Sequence, residues 1–244
     1  MNSRKGVGIH DHSHMKDGVG PLSCGDHLLV NAQWWFNWSH DPKSCDPVGF
    51  IPMIYGPGQL SIKLPTSLND NRVLLGYNEV DRRDITPAQA AHDTGRMIQQ
   101  YKWWSGSHQI ATHVVGSGGL WYYMPDYLAE IQGRGWMPFV DALAVQIYPQ
   151  YFGGTLTGIE ALGQVIGYAN QYNVGWILVT EYNAPTVSKA QQFVNYVKAH
   201  NAQGGPQVIV FWFLAEALPE WNDCNFDLIR DGNLTEFGQM WHDW

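Results

Sequence analysis

Two short apolar runs about a hundred residues apart each end on a glutamate: Leu74-Leu75-Gly76-Tyr77-Asn78-Glu79 and Trp176-Ile177-Leu178-Val179-Thr180-Glu181. Both have the aliphatic content of a buried β-strand. A carboxylate at the buried end of such a strand costs several kcal/mol unless something pairs with it, so stability does not explain it. Two of them at like ends of like strands point to a site that uses both. A pair of carboxyl groups facing one bond is the machinery of glycoside hydrolysis, in which one protonates the leaving oxygen while the other attacks or assists at the anomeric carbon. A salt bridge or a helix cap accounts for either glutamate alone. It accounts poorly for both, with Asn78 before one and Tyr182 after the other.

Positioning the pair requires a frame, and the chain supplies a repeating one. Apolar runs fall at about 5–10, 32–37, 49–55, 73–79, 110–116, 140–148, 176–182 and 208–214. Their apolarity is continuous rather than alternating, as in strands of a parallel sheet covered on both faces. Helices between them are announced by caps: Thr86-Pro87-Ala88-Gln89, Thr157 with Glu160, and Ser188 with Gln191. Ile159, Leu162, Ile166 and Ala169 make one helical stripe, and Phe193, Val194 and Val197 another. Two further helices, near 22–30 and 60–70, are short and broken by proline. Strand and helix alternate eight times in 244 residues with no linker, which predicts an α/β fold, a (β/α)8 TIM barrel with short loops. The expectation is one catalytic domain over 1–244, with 1–20 a partly irregular segment that contains the first strand. In such a barrel the active site lies at the C-terminal strand ends, and the fourth and seventh strands stand on roughly opposite sides of the mouth.

Composition narrows the ligand. Twelve Trp, twelve Tyr and nine Phe make 14% aromatic residues, more than one core needs, and sugar rings stack on such flat faces. The net charge is −8 with no run of Lys or Arg, which excludes a phosphate-backbone or anionic-lipid footprint and favours a neutral ligand. No stretch approaches 18 apolar residues, and 1–20 is polar and His-rich without a signal-peptide core. Cys24, Cys45 and Cys224 are too few for a zinc module or a disulfide scaffold, and one bridge, Cys24 to Cys45, stays open. The sequons at Asn37 and Asn233 are short enough to arise by chance.

The finer pattern resembles the glycoside hydrolases of clan A, and within them family 128, the endo-β-1,3-glucanases. Leu75-Gly76-Tyr77-Asn78-Glu79-Val80-Asp81 is similar to that family's glycine, aromatic, Asn-Glu-Pro-Asp motif, and Val179-Thr180-Glu181-Tyr182 to its Val-Thr-Glu-aromatic motif. Trp34-Trp35-Phe36-Asn37-Trp38 and Gly49-Phe50-Ile51-Pro52-Met53-Ile54-Tyr55-Gly56 resemble its second and third strands. Two departures are Val80, where proline is preferred, and Gln146, where histidine is usual. The resemblance implies a retaining double displacement with Glu79 as general acid/base and Glu181 as nucleophile. Asn78 would hold the sugar 2-hydroxyl, Tyr148 would donate to the nucleophile and keep it ionised, and Trp212 would floor the reacting subsite. Trp34, Trp35, Trp38 and Trp121 are candidate stacking residues, as are Trp103, Trp104, Tyr122 and Tyr123, and Gln146 is a further substrate contact.

Two rivals come from other classes. His10-Asp11-His12 after the first strand is the H-x-H that opens a metal-dependent amidohydrolase barrel, but the other candidates, His113, Gln146, Tyr148 and Glu216, make an incomplete ligand set, so His10, His12 and His14 read as loop residues. A noncatalytic glycan-binding barrel has no need of a strand-end acid pair. The expectation is therefore a monomeric hydrolase of a neutral β-glucan, without metal or cofactor and without a nucleic-acid or membrane partner. β-1,4-Glucan and β-mannan remain alternatives, and a secreted protein whose leader is absent from this chain is favoured over a cytoplasmic one.

Overall fold

A computed structural model describes residues 5–8, 31–41, 49–64, 73–104, 108–149, 157–213, 227–230 and 233–244. The strands are β1 (Lys5–Gly8), β2 (Trp34–Phe36), β3 (Val73–Leu74), β4 (Gln109–Ile110), β5 (Ala142–Ile147), β6 (Trp176–Tyr182) and β7 (Gln207–Trp212). A hairpin of β8 (Ile229–Arg230) and β9 (Asn233–Leu234) follows. The helices are α1 (Pro87–Met97), continued by a π-helix (Ile98–Trp104), α2 (Met124–Gly133), α3 (Gly158–Tyr172), α4 (Val187–Gln203) and α5 (Glu236–His242).

β1 to β7 form a parallel ring. One sheet runs β2-β1-β7-β6-β5 and another pairs β3 with β4. Single parallel bridges join them: Trp35 to Phe50, Met53 to Leu75, Ala111 to Ala142 and Val115 to Val145. The third place in the ring is thus held by 50–53, where Pro52 has no N–H to give to a ladder and only isolated bridges form. The described residues of all eight apolar runs lie in the ring, with β3 in the fourth place and β6 in the seventh.

Side chains sort into two layers. Phe36, Ile51, Met53, Leu75, Leu178, Ile209 and Phe211 fill the ring with Ala111, Ala142 and Ala144, while a larger apolar layer lies between ring and helices. Small alanines on one wall make room for the phenylalanines on the other. A Cβ on Gly6 would stand 2.3 Å from Phe211, so the close approach of β1 to that ring needs glycine.

Local chemistry sets the helix starts. Thr86 caps α1 by accepting from Gln89 N, with Pro87 at the first position, but the Gln89 side chain turns to Asp93, so only half of the expected capping box forms. Thr157 and Glu160 form both bonds of the box. The cap of α4 is Thr186, not Ser188: its side chain accepts from Lys189 N and the helix begins two residues earlier than expected, at Val187. The buried face of α3 is Ala161, Leu162, Val165 and Ala169, with Ile159 and Ile166 at its margin. Of the proposed helix at 60–70, residues 60–64 are irregular after a 3-10 turn at Pro57–Gln59, and the rest lies outside the described residues, as does 22–30.

Lys5 closes the molecule. Its buried Nζ donates to the carbonyls of Trp241 (2.7 Å) and His242 (2.8 Å) at the α5 C-terminus, the negative end of the helix dipole. Burial pulls its pKa down to about 8. Asn37 is buried with its Nδ2 on Asp41 O, which removes that sequon as a modification site in the folded chain. Among the described residues no helix is long and apolar enough to cross a membrane.

Candidate active site

The loop that carries Glu79 is fixed from behind by the fourth and fifth places in the ring. His113 is fully buried; its Nδ1 accepts from Tyr77 N at 2.9 Å, so its Nε2 carries the proton given to Ala90 O at 3.1 Å. Burial pulls the imidazole pKa down to about 3, which keeps it neutral. Both ring nitrogens are spent on backbone, so His113 is a structural residue and leaves no lone pair for a metal. The Tyr77 ring stacks on it at 4.0 Å. A Cβ on Gly76 would fall 2.1 Å from His113 Nδ1 and 2.8 Å from its Cα. The glycine of the motif is thus a steric requirement. Gly76→Ala is expected to cost more than about 3 kcal/mol, the range of severe overpacking, and a soluble, fully active Gly76→Ala protein with an unchanged melting temperature would contradict this packing.

Past Tyr77 the chain turns sharply, and Glu79 sits in the left-handed region (φ 46°, ψ 54°), a conformation that costs a non-glycine residue about 1–3 kcal/mol and persists where the surroundings impose it. The imposing contacts are local. Arg83 Nε donates to Asn78 O at 2.7 Å and its guanidinium lies 4.6 Å from the centre of the exposed Tyr55 ring. Asp81 Oδ1 accepts from Gly116 N at 2.6 Å, which ties this loop to the next one. Arg82 pairs with the Glu79 carboxylate at 3.0 Å.

Glu181 stands at the end of β6, only 5% exposed. Regular alternation would not have aimed it into the ring, because Ile177 and Val179 face the helices and Glu181 shares their parity. The pairing shows what intervenes. Against β5, Val145 pairs with Val179 and Gln146 with Glu181; against β7, Val210 pairs with Val179 and Trp212 with Tyr182. β6 therefore carries one extra residue on both sides, Thr180, a bulge that reverses the facing of everything after it. Tyr182 goes outward to stack on Phe193, and Glu181 turns inward.

There it meets donors. Trp38 Nε1 donates to Oε1 at 2.8 Å, and the Tyr148 hydroxyl makes a short hydrogen bond to Oε2. Gln146, fully buried, places its Nε2 3.3 Å from Asn78 Oδ1 and also bonds to Glu181, so one side chain links both strand ends. Phe213 packs edge-on against both Trp38 and Tyr148, at 5.7 Å from each. Burial nevertheless dominates and pushes the Glu181 pKa up to about 7, against the bonds from Tyr148 and Trp38, with the Glu79 charge adding to the rise. Glu79 is also raised by burial, with Arg82 pulling it back.

Glu181 thus weighs against stability when charged. Its folded pKa stands above its ordinary value of 4.5, so its favourable contribution is complete below that pH and lost as pH rises through about 7. Glu181→Gln, uncharged throughout, is expected to melt several degrees above the parent at pH ~8, with the gain shrinking toward pH ~4.5. Melting curves at the two pH values check this; a gain that grows on acidification would mean the carboxyl is not held in a desolvated place.

The structure thus gathers Asn78, Glu79, Gln146, Tyr148, Glu181 and Trp38. Other expected residues lie elsewhere. Trp212 is fully buried on the outer face of β7, between Tyr182, Phe237 and Trp241; alternation along the strand turns Phe211 inward and Trp212 away from the mouth. Trp35 likewise faces the helix layer against Phe50. Trp34 points into the ring but four residues before Trp38, at the far end of β2. Trp121 and Tyr122 are exposed on the loop after the fifth place in the ring, at the same end as the carboxylates, while Tyr123 is buried with its hydroxyl on Ile85 O. Trp103 packs on Trp136 and Phe139 at the opposite end. His10, His12, His14, Cys24, Cys45, Cys224, Glu216 and the Trp104 side chain lie outside the described residues, and among the described residues no group of three His, Cys, Asp or Glu could hold a metal. Sequence reasoning missed Phe213, although it follows Ile209 and Phe211 on the inward parity of β7, and missed Tyr55, Arg82 and Arg83, which no strand pattern marks.

A family model described as glycosyl hydrolase catalytic core matches residues 24–241. No curated protein sequence matches the chain. Among solved structures it is similar to a GH128 subgroup I endo-beta-1,3-glucanase from Amycolatopsis mediterranei in complex with laminaritriose, at a TM-score of 0.71 and 18% identity over 98% of both chains. The same protein has been crystallised with either of two glutamates replaced by alanine, in both cases with laminari-oligosaccharides. Similar too are a subgroup II endo-beta-1,3-glucanase from Sorangium cellulosum (TM-score 0.63, 19% identity, 98% of both chains) and a subgroup V exo-beta-1,3-glucanase from Cryptococcus neoformans (0.68, 16%, 98% of both). With an acid pair at the mouth of a parallel ring, and a family model spanning nearly its whole length, the chain belongs to the glycosyl hydrolase catalytic core family.

Proposed function

We propose that this chain is a retaining endo-β-1,3-glucanase, working as one catalytic unit, with Glu79 as general acid/base and Glu181 as nucleophile. The observation that carries the assignment of roles is the difference in setting: Glu181 is enclosed by donors, whereas the Glu79 side chain is 29% exposed at the mouth, where a leaving oxygen and an incoming water must pass. Donation from Trp38 and Tyr148 orients both Glu181 oxygens and favours its charged form. Glu79 must hold a proton when it meets the glycosidic oxygen, and Arg82 opposes that. Arg82 is 48% exposed, so solvent screens the pair, and desolvation of Glu79 outweighs it.

The steps follow. Glu79 gives its proton to the glycosidic oxygen as Glu181 attacks the anomeric carbon, breaking the link and forming a glycosyl ester. Glu79, now ionised, takes a proton from water, whose oxygen displaces Glu181 from the opposite face. Asn78 Oδ1 is engaged by Gln146, which leaves its Nδ2 to donate to the sugar 2-hydroxyl. The reading requires carboxyl groups about 5 to 5.5 Å apart, the retaining separation. The choice of β-1,3-glucan is supported by the laminari-oligosaccharides bound in the similar structures.

Sugar release from laminarin, curdlan, carboxymethylcellulose, barley glucan and mannan tests the reading. Release is expected from the first two, as oligosaccharides, with the new reducing end appearing first as the β anomer by proton NMR. An α anomer would make the enzyme inverting, and preference for carboxymethylcellulose or mannan would move the substrate to β-1,4-glucan or β-mannan. Activity is expected to survive EDTA; loss restored by zinc would bring back the metal-dependent reading of His10 and His12.

A further inference from the structure

We infer that Thr180, the extra residue of β6, is a positioning residue whose hydroxyl locks the bulge that turns Glu181 into the active site. The inference rests on the reading of Glu181 as nucleophile. Three observations carry it. The register is interrupted directly after Val179 against both neighbouring strands, at Thr180 against β5 and within Thr180 and Glu181 against β7, so the surplus belongs to β6 rather than to either partner. The facing reverses there, with Val179 and Tyr182 both outward although three residues apart, which a regular strand does not allow. And Thr180, fully buried, donates its Oγ1 to Val145 O at 3.2 Å, the carbonyl directly before Gln146.

That last bond joins two parts of the site. Gln146 is the rung partner of Glu181 and reaches Asn78, so an anchor on Val145 fixes the extra residue of β6 against the one strand that also holds the link to the acid/base loop. Moving the surplus residue by one position changes which side chains face inward. At this position that change is the site itself: slippage carries Glu181 toward the helix layer, away from Trp38 and Tyr148.

The experiment compares Thr180→Val, which keeps the shape and deletes the hydroxyl, with Thr180→Ser, which keeps the hydroxyl and deletes the methyl, on the best substrate from the polysaccharide panel. Thr180→Val is expected to lower kcat about 100-fold, the loss that follows a displacement of roughly 1 Å at reacting groups, with KM within about twofold, since Asn78 and the loop that carries it stay in place. The acidic limb of its kcat/KM profile should move to higher pH as Glu181 loses its donors. Thr180→Ser should keep kcat within about threefold of the parent. The inference is overturned if Thr180→Val retains half of parental kcat, or if Thr180→Ser falls as far as Thr180→Val. Should the valine protein fail to fold, the serine variant decides: parental kcat supports the hydroxyl latch and a tenfold loss overturns it. Glu181→Ala assayed alongside separates the two ideas, because parental activity in that variant would remove the nucleophile reading whatever the Thr180 series gives.

Discussion

Glu181→Ala is expected to lower turnover of β-1,3-glucan by ~10⁴-fold or more, because removal of a nucleophile eliminates the covalent path and leaves only binding and general acid assistance. The cavity it leaves beside the anomeric carbon admits a small anion. Added azide should therefore restore bond cleavage on activated glucosides and give a glycosyl azide of inverted configuration, since one displacement replaces two. Glu79→Ala should fail differently. Its nucleophile remains ionisable, so substrates with good leaving groups still form the ester, and a burst of leaving group should precede a slow steady state. Azide then intercepts the ester and gives a product of retained configuration. Exchange of the two stereochemical outcomes would mean that the roles are reversed; parental rates in both variants would mean that neither carboxyl is catalytic. Configuration of the azide product, read by NMR, checks the assignment without depending on the size of the rate loss.

Tyr148→Phe carries the second largest effect. The tyrosine hydroxyl lowers the pKa of Glu181, which burial has already pushed up to about 7. The kcat/KM profile falls on its acidic side as Glu181 takes up a proton, so deletion of a donor to the charged form must move that limb to higher pH. The loss of a charge-assisted bond aimed at the reacting group should also lower kcat about 100-fold, in the range found for single donors at developing charges. Packing is largely conserved, since the ring contact with Phe213 does not involve the hydroxyl. Measurement of kcat/KM from pH ~4 to ~9 in the parent and the variant is decisive. A drop in rate with an unmoved acidic limb would assign the hydroxyl to something other than Glu181. The parental optimum is itself informative: both carboxyls are raised by burial, so the acidic limb should lie nearer neutrality than the mildly acidic profile of an ordinary carboxylate pair.

Much of this was legible in the chain because it depends on local rules. Continuous apolar runs bounded by Thr caps marked strands and helices; the cap at Thr157 holds as read, while Thr86 caps its helix with only half of the box. The cap at Thr186 was displaced to Ser188 because Ser188 has Gln191 three positions on to complete a capping box, whereas Lys189, three on from Thr186, offers none; the fold uses the single bond from Lys189 N to the Thr186 side chain. The motif around Gly76 carried its own reason, since the space its hydrogen occupies is filled by His113. Trp38 could be named as an aromatic near the mouth, but not as a donor to Glu181, a contact across 143 positions of sequence.

The sequence by itself determined that there would be a parallel ring, and that two glutamates would arrive at like ends of its fourth and seventh strands, because hydrophobic periodicity and strand order do not depend on distant partners. Which way each side chain faces was decided only in three dimensions. Counting by twos along β6 from Ile177 sends Glu181 to the helices, and counting along β7 puts Trp212 and Phe213 on opposite faces without saying which of them meets the mouth. The extra residue at Thr180 is visible only when β6 is laid against β5 and β7, since a bulge is a mismatch between strands and not a property of one. That mismatch brings Glu181 to Trp38, Tyr148 and Gln146. The same register carries Trp212 into the core and leaves Phe213 beside the carboxylate.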